Sequence, residues 1–133
     1  MKCVRVVAAV VERDGRYLIT QRRPEAALPG YWEFPGGRVE ADETDEAALA
    51  REFQHRLGVG IVCGERVGEV EHLYPNYGLR LVLYACQIVS GEPRAAAVAA
   101  LAWAPSSKFG EYSFTPADEA SIAALLGMED KLS

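Results

Sequence analysis

The middle of the chain concentrates side chains that can bind ions and phosphate. Gly36 and Gly37 end a loop that is rich in proline and glycine, and a segment of good helix formers follows them. On that helix Glu52 shares one strip with His55 and Arg56, three and four residues further on. A carboxylate suits a hard cation, whereas a guanidinium suits a phosphate. We expect this strip to face whatever the glycine loop encloses.

The strip is carried by a helix that the sequence predicts over residues 44–57. Thr44 is suited to be the N-cap, acidic residues follow it in the first turn, and Gly58 ends the segment. Apolar residues repeat every four positions, which predicts a face that packs on a sheet. They are Leu49, Phe53 and Leu57.

Valine-rich and alternating segments predict strands around this helix. Residues 4–12 and 17–20 are interpreted as one β-hairpin, and the last two long strands as another, joined through residues 74–78. Mixed strands and two helices together predict a layered α+β domain over residues 1–133. Besides residues 4–12 and 17–20, the predicted strands cover residues 59–63, 67–73 and 79–89 and a short segment at Trp103, and a second helix capped by Thr115 covers residues 116–126.

The spacing of the central segment is that of a known signature. Gly37 is followed after five residues by Glu43, and after seven more by Arg51 and Glu52. Residues 37–59 resemble the Nudix box, G-x5-E-x7-R-E-U-x-E-E-x-G-U with U an apolar residue. Seven of the nine specified positions are filled acceptably. The preceding run WEFPGG looks like the usual lead-in of that family.

The resemblance extends over nearly the whole chain. The entry strand at residues 4–11, the Gln21-Arg22 pair and the FTPAD run at residues 114–118 are similar to the mutator-type and CTP pyrophosphohydrolase branch of the Nudix hydrolases. The resemblance implies the Nudix fold, a mixed β-sheet sandwiched between helices (α/β/α). It also implies an enzyme that converts a nucleoside triphosphate and water to the monophosphate and pyrophosphate.

Mg²⁺, or Mn²⁺, is the cofactor that the resemblance implies, held by carboxylates and bridging the substrate phosphates. Gly36 and Gly37 would turn the backbone tightly and offer carbonyl oxygens to the cation. Glu52 would be a metal ligand, and Glu43 with Arg51 would form a pair that orients it. A plain surface salt bridge is the alternative interpretation of that pair.

The chain departs from the family pattern at the metal ligands. His55 and Arg56 stand where the box has two glutamates, and Ala97 stands where a further acidic ligand is expected. These losses predict either a hydrolase of weakened activity or, alternatively, a catalytically silent nucleotide-binding or regulatory module, with no metal bound. His55 and Arg56 can also be interpreted as a solvated helix face. Acidic residues that could replace the lost ligands are Glu40, Glu43, Glu46, Glu69 and Glu71.

Nucleotide recognition is better preserved than the metal ligands. By resemblance, Arg22 is expected near the substrate, Arg38 is expected to contact a phosphate, and Asp118 is expected to contact the base. An ionised carboxylate accepts hydrogen bonds, so Asp118 suits an exocyclic amine such as that of cytosine. Alternatively, Asp118 is a negative charge in the first turn of the last helix, where it interacts favourably with the helix dipole. Phe34 is the first candidate to stack on a base, and the others are Tyr74, Tyr77 and Trp103, although core packing is the commoner role of an aromatic residue.

Composition limits the partners further. The 133 residues carry a formal net charge of −5, which disfavours binding to a nucleic-acid duplex and requires any phosphate ligand to be held locally. No apolar run reaches the ~18 residues of a membrane span, and the first residues lack a signal-peptide layout. We therefore expect a cytoplasmic monomer or homodimer that binds a nucleoside triphosphate or a related nucleotide. The three cysteines are expected to be reduced thiols of the core.

Overall fold

The helix that carries the charged strip begins and ends where the sequence predicts. In a computed structural model, which describes residues 2–123, this helix (α1) spans Asp45–Leu57. Thr44 caps its start, because the side-chain oxygen accepts a hydrogen bond from the Ala47 amide at 3.1 Å. Gly58 ends it in the left-handed conformation, with φ of 69°. No helix within the described residues has the length and apolar character to span a lipid bilayer.

Within residues 2–123, eight strands form two sheets. They are β1 (Lys2–Val10), β2 (Glu12–Arg13), β3 (Arg16–Gln21), β4 (Trp32–Glu33), β5 (Gly36–Arg38), β6 (Gly60–Tyr74), β7 (Tyr77–Ser90) and β8 (Ala100–Ala104). The first sheet has the order β5-β1-β7-β6, in which β1 and β7 are parallel and the other neighbours antiparallel. The second sheet is antiparallel, and β3 pairs with β2, β4 and β8. A short 3-10 helix, Ser106–Glu111, and helical residues 116–123 follow.

The first sheet is covered on both faces, because successive side chains of a strand point in opposite directions. Val7 of β1 belongs to a buried cluster with Phe53 of α1. Ala8, the next residue, belongs to a second buried cluster that includes Ala117 of the C-terminal helical residues. The predicted α+β fold with a mixed sheet is therefore confirmed. Residues 124–126 of the predicted second helix lie outside the described residues.

The start of α1 is held by both central strands of the first sheet. Asp45 accepts a hydrogen bond from the hydroxyl of Tyr84 on β7 at 2.5 Å and forms an ion pair with Arg5 on β1 at 2.6 Å. Burial, and then the hydrogen bond to Asp45, raise the pKa of Tyr84 to about 12, so its hydroxyl remains a donor at neutral pH. These contacts fix the position of the helix along the sheet.

The predicted first hairpin is wrong for most of its length. β1 pairs with β5 and β7 in the first sheet, and only the two residues of β2 pair with β3. The turn itself is confirmed, since Asp14 and Gly15 have φ of 53° and 75°, as a two-residue hairpin turn requires. The valine-rich strand β1 pairs with the distant strand β7 over residues 2–10, so only the residues next to the turn pair with β3.

The second hairpin is confirmed, with longer strands than predicted. The segments predicted as strands 59–63 and 67–73 form one strand, β6, whose pairing with β7 shifts register between Cys63 and Gly68. Tyr74 pairs with Tyr77, so the turn has two residues instead of five. Bulges allow a long strand to continue through a change of register.

The cysteines differ in exposure, and one prediction about them is wrong. Cys86 is buried and Cys63, its partner across β6 and β7, is partly buried. Cys3 is exposed near the start of β1, so it is not a core thiol. Burial raises the pKa of Cys86 to about 12 and also raises that of Cys63, which keeps both thiols protonated at neutral pH.

The role predicted for Gly36 and Gly37 is corrected by the structure. Both lie in the extended strand β5 instead of a tight turn, and neither has a positive φ. They are required because other atoms approach closely. A Cβ on Gly36 would lie 1.9 Å from the carbonyl oxygen of Val7, and one on Gly37 would lie 2.5 Å from Cδ of Glu52. The glycine pair lets β5 reach both β1 and α1.

Replacing Gly36 with alanine is expected to destabilise the fold by more than about 3 kcal/mol, above the usual cost of overpacking, because the new methyl group meets backbone atoms. Gly110→Ala is the matched control, since Gly110 has open space around it and should change stability by less than about 0.5 kcal/mol. Urea denaturation measures both. Similar free energies of unfolding for the two variants would contradict the close approach of β5 to β1.

Candidate functional site

An ion pair joins the loop before α1 to the helix, as predicted. Arg51 Nε lies 2.8 Å from Oε2 of Glu43, and Nη2 donates to Oε1 of Glu43 at 3.0 Å and to the carbonyl oxygen of Arg38 at 2.9 Å. The hydrogen bond from Arg51, followed by that from the Glu40 amide, lowers the pKa of Glu43 to about 2. The same bond raises the pKa of Arg51. Both groups are therefore charged at neutral pH.

Glu52 is a carboxylate that is enclosed between two guanidinium groups. It is 7% exposed, and its Oε1 accepts a hydrogen bond from Nη1 of Arg51 at 2.5 Å. Its Oε2 forms an ion pair with Nε of Arg56, one turn further along α1. That oxygen is buried and accepts no hydrogen bond within the described residues, so its contact with Arg56 is ionic. Gly37 packs against the same carboxylate.

Arg56 continues the charged contacts to a residue that the sequence did not single out, Glu33. Nη1 of Arg56 lies 3.7 Å from Oε2 of Glu33, and Arg22 donates to the two Glu33 oxygens at 3.0 and 3.3 Å. Burial raises the pKa of Glu33 although both arginines act to lower it. The available signal was a lone glutamate between the aromatic residues Trp32 and Phe34, directly before the glycine pair.

A cavity of about 390 Å³ lies over this strip, and we call it the charged cavity. His55 and Ala97 line it at the positions where carboxylates were expected, although His55 is largely exposed. Within residues 2–123, no group of three or more histidine, cysteine, aspartate or glutamate side chains is placed to hold a metal ion. The charged side chains that line it are Arg22, Arg23, Glu25, Glu33, Arg51, Glu52 and Arg56.

The residues present do not fit a cluster of divalent cations. Glu33 and Glu52 line the charged cavity, and arginines already pair with both. The third glutamate that lines it, Glu25, pairs with Arg23. The five glutamates considered as replacement ligands do not line it. Glu43 faces Arg51, for example, and Glu69 pairs with arginines on β6 and β7.

A second cavity, of about 230 Å³, adjoins the first and shares Arg22, Glu33 and Arg56 with it. We call it the aromatic cavity. Apolar residues of β1 and β7 form much of its wall, and Tyr74 and Tyr77 lie at the tip of the β6–β7 hairpin with ring centroids 5.0 Å apart in a stacked arrangement. Apart from these three shared residues, the charged cavity is lined mainly by paired charges and the aromatic cavity mainly by apolar and aromatic groups.

Asp118 is a buried carboxyl group in the wall of the aromatic cavity. Its Oδ2 accepts a hydrogen bond from the Thr115 hydroxyl at 2.5 Å, and its Oδ1 accepts one from the Phe34 amide at 3.2 Å. Burial, and then the nearby charge of Glu33, raise the pKa of Asp118 to about 7. Asp118 also lies in the first turn of the C-terminal helical residues, where its amide donates to Thr115 Oγ1 at 3.3 Å.

Two predicted binding residues, Phe34 and Arg38, border the aromatic cavity and differ in exposure. Phe34 is 2% exposed, and its ring packs against those of Phe109 and Phe114 with centroids about 6 Å apart. Its predicted stacking on a base is therefore corrected to a role in the core, where its amide holds Asp118. Arg38 lines the aromatic cavity with an exposed side chain, which forms no ion pair among the residues described.

Known proteins resemble this chain along almost its whole length. A family model described as a NUDIX domain matches residues 6–124. The chain belongs to the Nudix family. It is 34% identical over 128 residues to a CTP pyrophosphohydrolase of Escherichia coli, covering 96% of this chain and 95% of that protein. It is 39% identical over 123 residues to a putative 8-oxo-dGTP diphosphatase 2 of Mycobacterium tuberculosis, covering 90% and 86%.

A solved Nudix-like structure has the same fold. The solution structure of the E. coli ORF135 protein superposes with a TM-score of 0.83 at 33% identity, covering 97% of this chain and 92% of that one. Nudix hydrolases generally use divalent metals such as Mg²⁺. In the Nudix box of this chain, residues 37–59, Arg56 instead presents a guanidinium to Glu52. The departure is thus a fixed cation beside Glu52, one of the two glutamates of the box that this chain retains.

The buried carboxyl group of Asp118 predicts a pH-dependent stability. Its pKa is about 7 in the folded chain, whereas an ordinary aspartate has a pKa of 3.8, so between these two pH values the folded state holds a proton that the unfolded state has lost. The free energy of unfolding should therefore fall as pH rises from about 4 to 7, by up to about 1.4 kcal/mol per pH unit. Asp118→Asn should lack this decrease in denaturation curves recorded between pH 5 and pH 8.

Glu119→Gln is the matched control for that experiment, because Glu119 is the exposed neighbour of Asp118 on the same helical turn. It should keep the pH profile of the unmodified chain. Parallel profiles for the unmodified chain and Asp118→Asn would show that the carboxyl group does not titrate in this range.

Proposed function

We propose that this chain binds a nucleoside triphosphate across the two adjoining cavities and hydrolyses it, with low turnover, to the monophosphate and pyrophosphate. The observation that carries the proposal is the shared wall of Arg22, Glu33 and Arg56, which joins a cavity suited to a base with one suited to phosphates. Their volumes, about 230 and 390 Å³, together fall in the ~300–1,000 Å³ range of small-molecule sites. The activities named for the two relatives support the same substrate class.

The base is assigned to the aromatic cavity. Tyr74 and Tyr77 offer the stacked aromatic surface first expected of Phe34, and a base gains about 1–3 kcal/mol from such stacking. When ionised, Asp118 accepts hydrogen bonds, so it favours a base that presents an exocyclic amine. When protonated, it can also donate one, and a pKa near 7 makes both forms available. Cytosine and oxidised guanine both present an exocyclic amine.

The phosphates are assigned to the arginine-rich side. Arg22 faces both cavities, and Arg38 brings an exposed guanidinium to the edge of the aromatic cavity. Guanidinium groups bind phosphate oxygens through paired hydrogen bonds. In this proposal Glu43 and Arg51 are positioning residues, because their ion pair holds Arg51 against Glu52.

Low turnover follows from the state of Glu52. Phosphoryl transfer depends on positioning and on stabilising the charge that develops in the transition state. Both oxygens of Glu52 face guanidinium groups, so this carboxylate is poorly available to a metal ion or to the attacking water. The same observation favours a second candidate function, a nucleotide-binding or regulatory module in which hydrolysis is lost.

Pyrophosphate release from a panel that includes CTP and 8-oxo-dGTP, with Mg²⁺ or Mn²⁺ supplied, tests the proposal. We expect slow, measurable release that Glu52→Gln reduces at least about 100-fold, because Glu52 is the glutamate retained by the box next to the phosphate-binding side. Glu46→Gln is the matched control, since Glu46 is an exposed glutamate on the same helix and should leave the rate unchanged. No release from any nucleotide, with binding intact, would favour the silent module.

Restoring the lost carboxylates is a separate test of the same assignment. The triple change His55→Glu, Arg56→Glu and Ala97→Glu should raise the rate of pyrophosphate release at least about 100-fold, because removing Arg56 frees Glu52 and three acidic ligands line the charged cavity. Initial rates across the nucleotide panel measure the gain. A folded triple variant that still binds nucleotide without any gain would show that this cavity is not where hydrolysis occurs.

A further inference from the structure

We propose that the charged cavity binds the phosphate chain of the nucleotide directly, with Arg56 as a built-in cation, so that binding requires no divalent metal. This inference rests on the proposed nucleotide binding and adds how the phosphates are neutralised. It is specific to this chain, because it depends on residues that depart from the Nudix box.

The charge of the cavity has the sign that an anion requires. Four arginines and three glutamates line it, which gives a net charge of +1 when His55 is neutral. The whole chain has a net charge of −5, so the net charge of this cavity is opposite in sign to that of the chain. A cavity that held metal ions would need the opposite, an excess of carboxylates.

Arg56 occupies the position beside Glu52 at which a cation would bind its carboxylate. Its Nε forms an ion pair with the buried Oε2 of Glu52, the oxygen that accepts no hydrogen bond among the residues described. The side chain of Arg56 is 29% exposed and lines both cavities. Its guanidinium can therefore contact Glu52 and a ligand phosphate at the same time, as a bridging cation does.

Glu33 now occupies the position in which we expect the phosphate chain to bind. It lies between Arg22 and Arg56 at the boundary of the two cavities, where a nucleoside would join its phosphates. Arg51 is less available, because Glu43, Glu52 and the Arg38 carbonyl oxygen engage it. A phosphate chain carries more charge than one carboxylate, so it can replace Glu33 as the partner of Arg22 and Arg56.

Isothermal titration calorimetry of the unmodified chain with CTP and with inorganic triphosphate provides the test. We expect both probes to bind in EDTA, with CTP at least as tight there as with excess Mg²⁺, because Mg²⁺ reduces the charge of the phosphate chain. Binding of CTP only when Mg²⁺ is present would overturn this inference and leave the proposed function standing. Binding of no panel nucleotide under either condition would overturn the proposed function itself.

Variants assign the effect to Arg56. Arg56→Gln should weaken CTP binding in EDTA at least about 10-fold, and Arg56→Lys should recover part of the loss. Arg16→Gln is the matched control, because Arg16 is an exposed arginine that lines neither cavity, and it should change the affinity less than about 3-fold. Thermal unfolding of each variant verifies that it is folded. A folded Arg56→Gln variant with unchanged affinity in EDTA would contradict the role of Arg56.

Discussion

The enclosed carboxylate of Glu52 is the charge on which the rest of the site depends. A buried carboxylate is costly unless positive groups pair with it, and Arg51 and Arg56 both do so here. Arg51 extends the contact to Glu43 and so fixes the loop before α1. Arg56 extends it to Glu33, which Arg22 also holds. Charges of alternating sign thus connect α1 to the loop that precedes it and to β4.

This arrangement explains how a Nudix domain can keep its fold with an altered ligand set. Arg51 pairs with Oε1 of Glu52, and the guanidinium of Arg56, one helical turn away, supplies a positive charge to the buried Oε2. The rest of the box keeps its structural tasks, since Gly37 still admits the Glu52 carboxylate and Glu43 still holds Arg51. Within this one motif, Gly37, Glu43 and Arg51 keep the fold, whereas Arg56 changes the charge beside Glu52.

Local sequence signals predicted much of the fold. The capping residues Thr44 and Gly58 defined α1, and the turn at Asp14 was assigned correctly. The parallel pairing of β1 with β7 was missed, because it joins strands about seventy residues apart and leaves no local pattern. Without that pairing, the valine-rich first strand could only be matched with its neighbour in sequence.

The site was predicted where spacing along one helix was sufficient. Residues 52 and 56 lie on one face of any helix. Glu43 precedes α1, and its ion pair with Arg51 was predicted from the resemblance to the Nudix box. Glu33 was missed, because its place beside Arg56 depends on how β4 approaches α1 across the cavity. The same cause misled the interpretation of Phe34, since its burial depends on rings more than seventy residues away.

The double attachment of Asp45 has a consequence for how this molecule can change. Tyr84 of β7 and Arg5 of β1 both bind Asp45 in the first turn of α1, so the helix has little freedom to slide or rotate over the sheet. Side chains at its far end can then be exchanged while their Cα positions stay in place. A helix held in this way can acquire a different chemistry through one or two side-chain substitutions, without a change in the backbone that carries them.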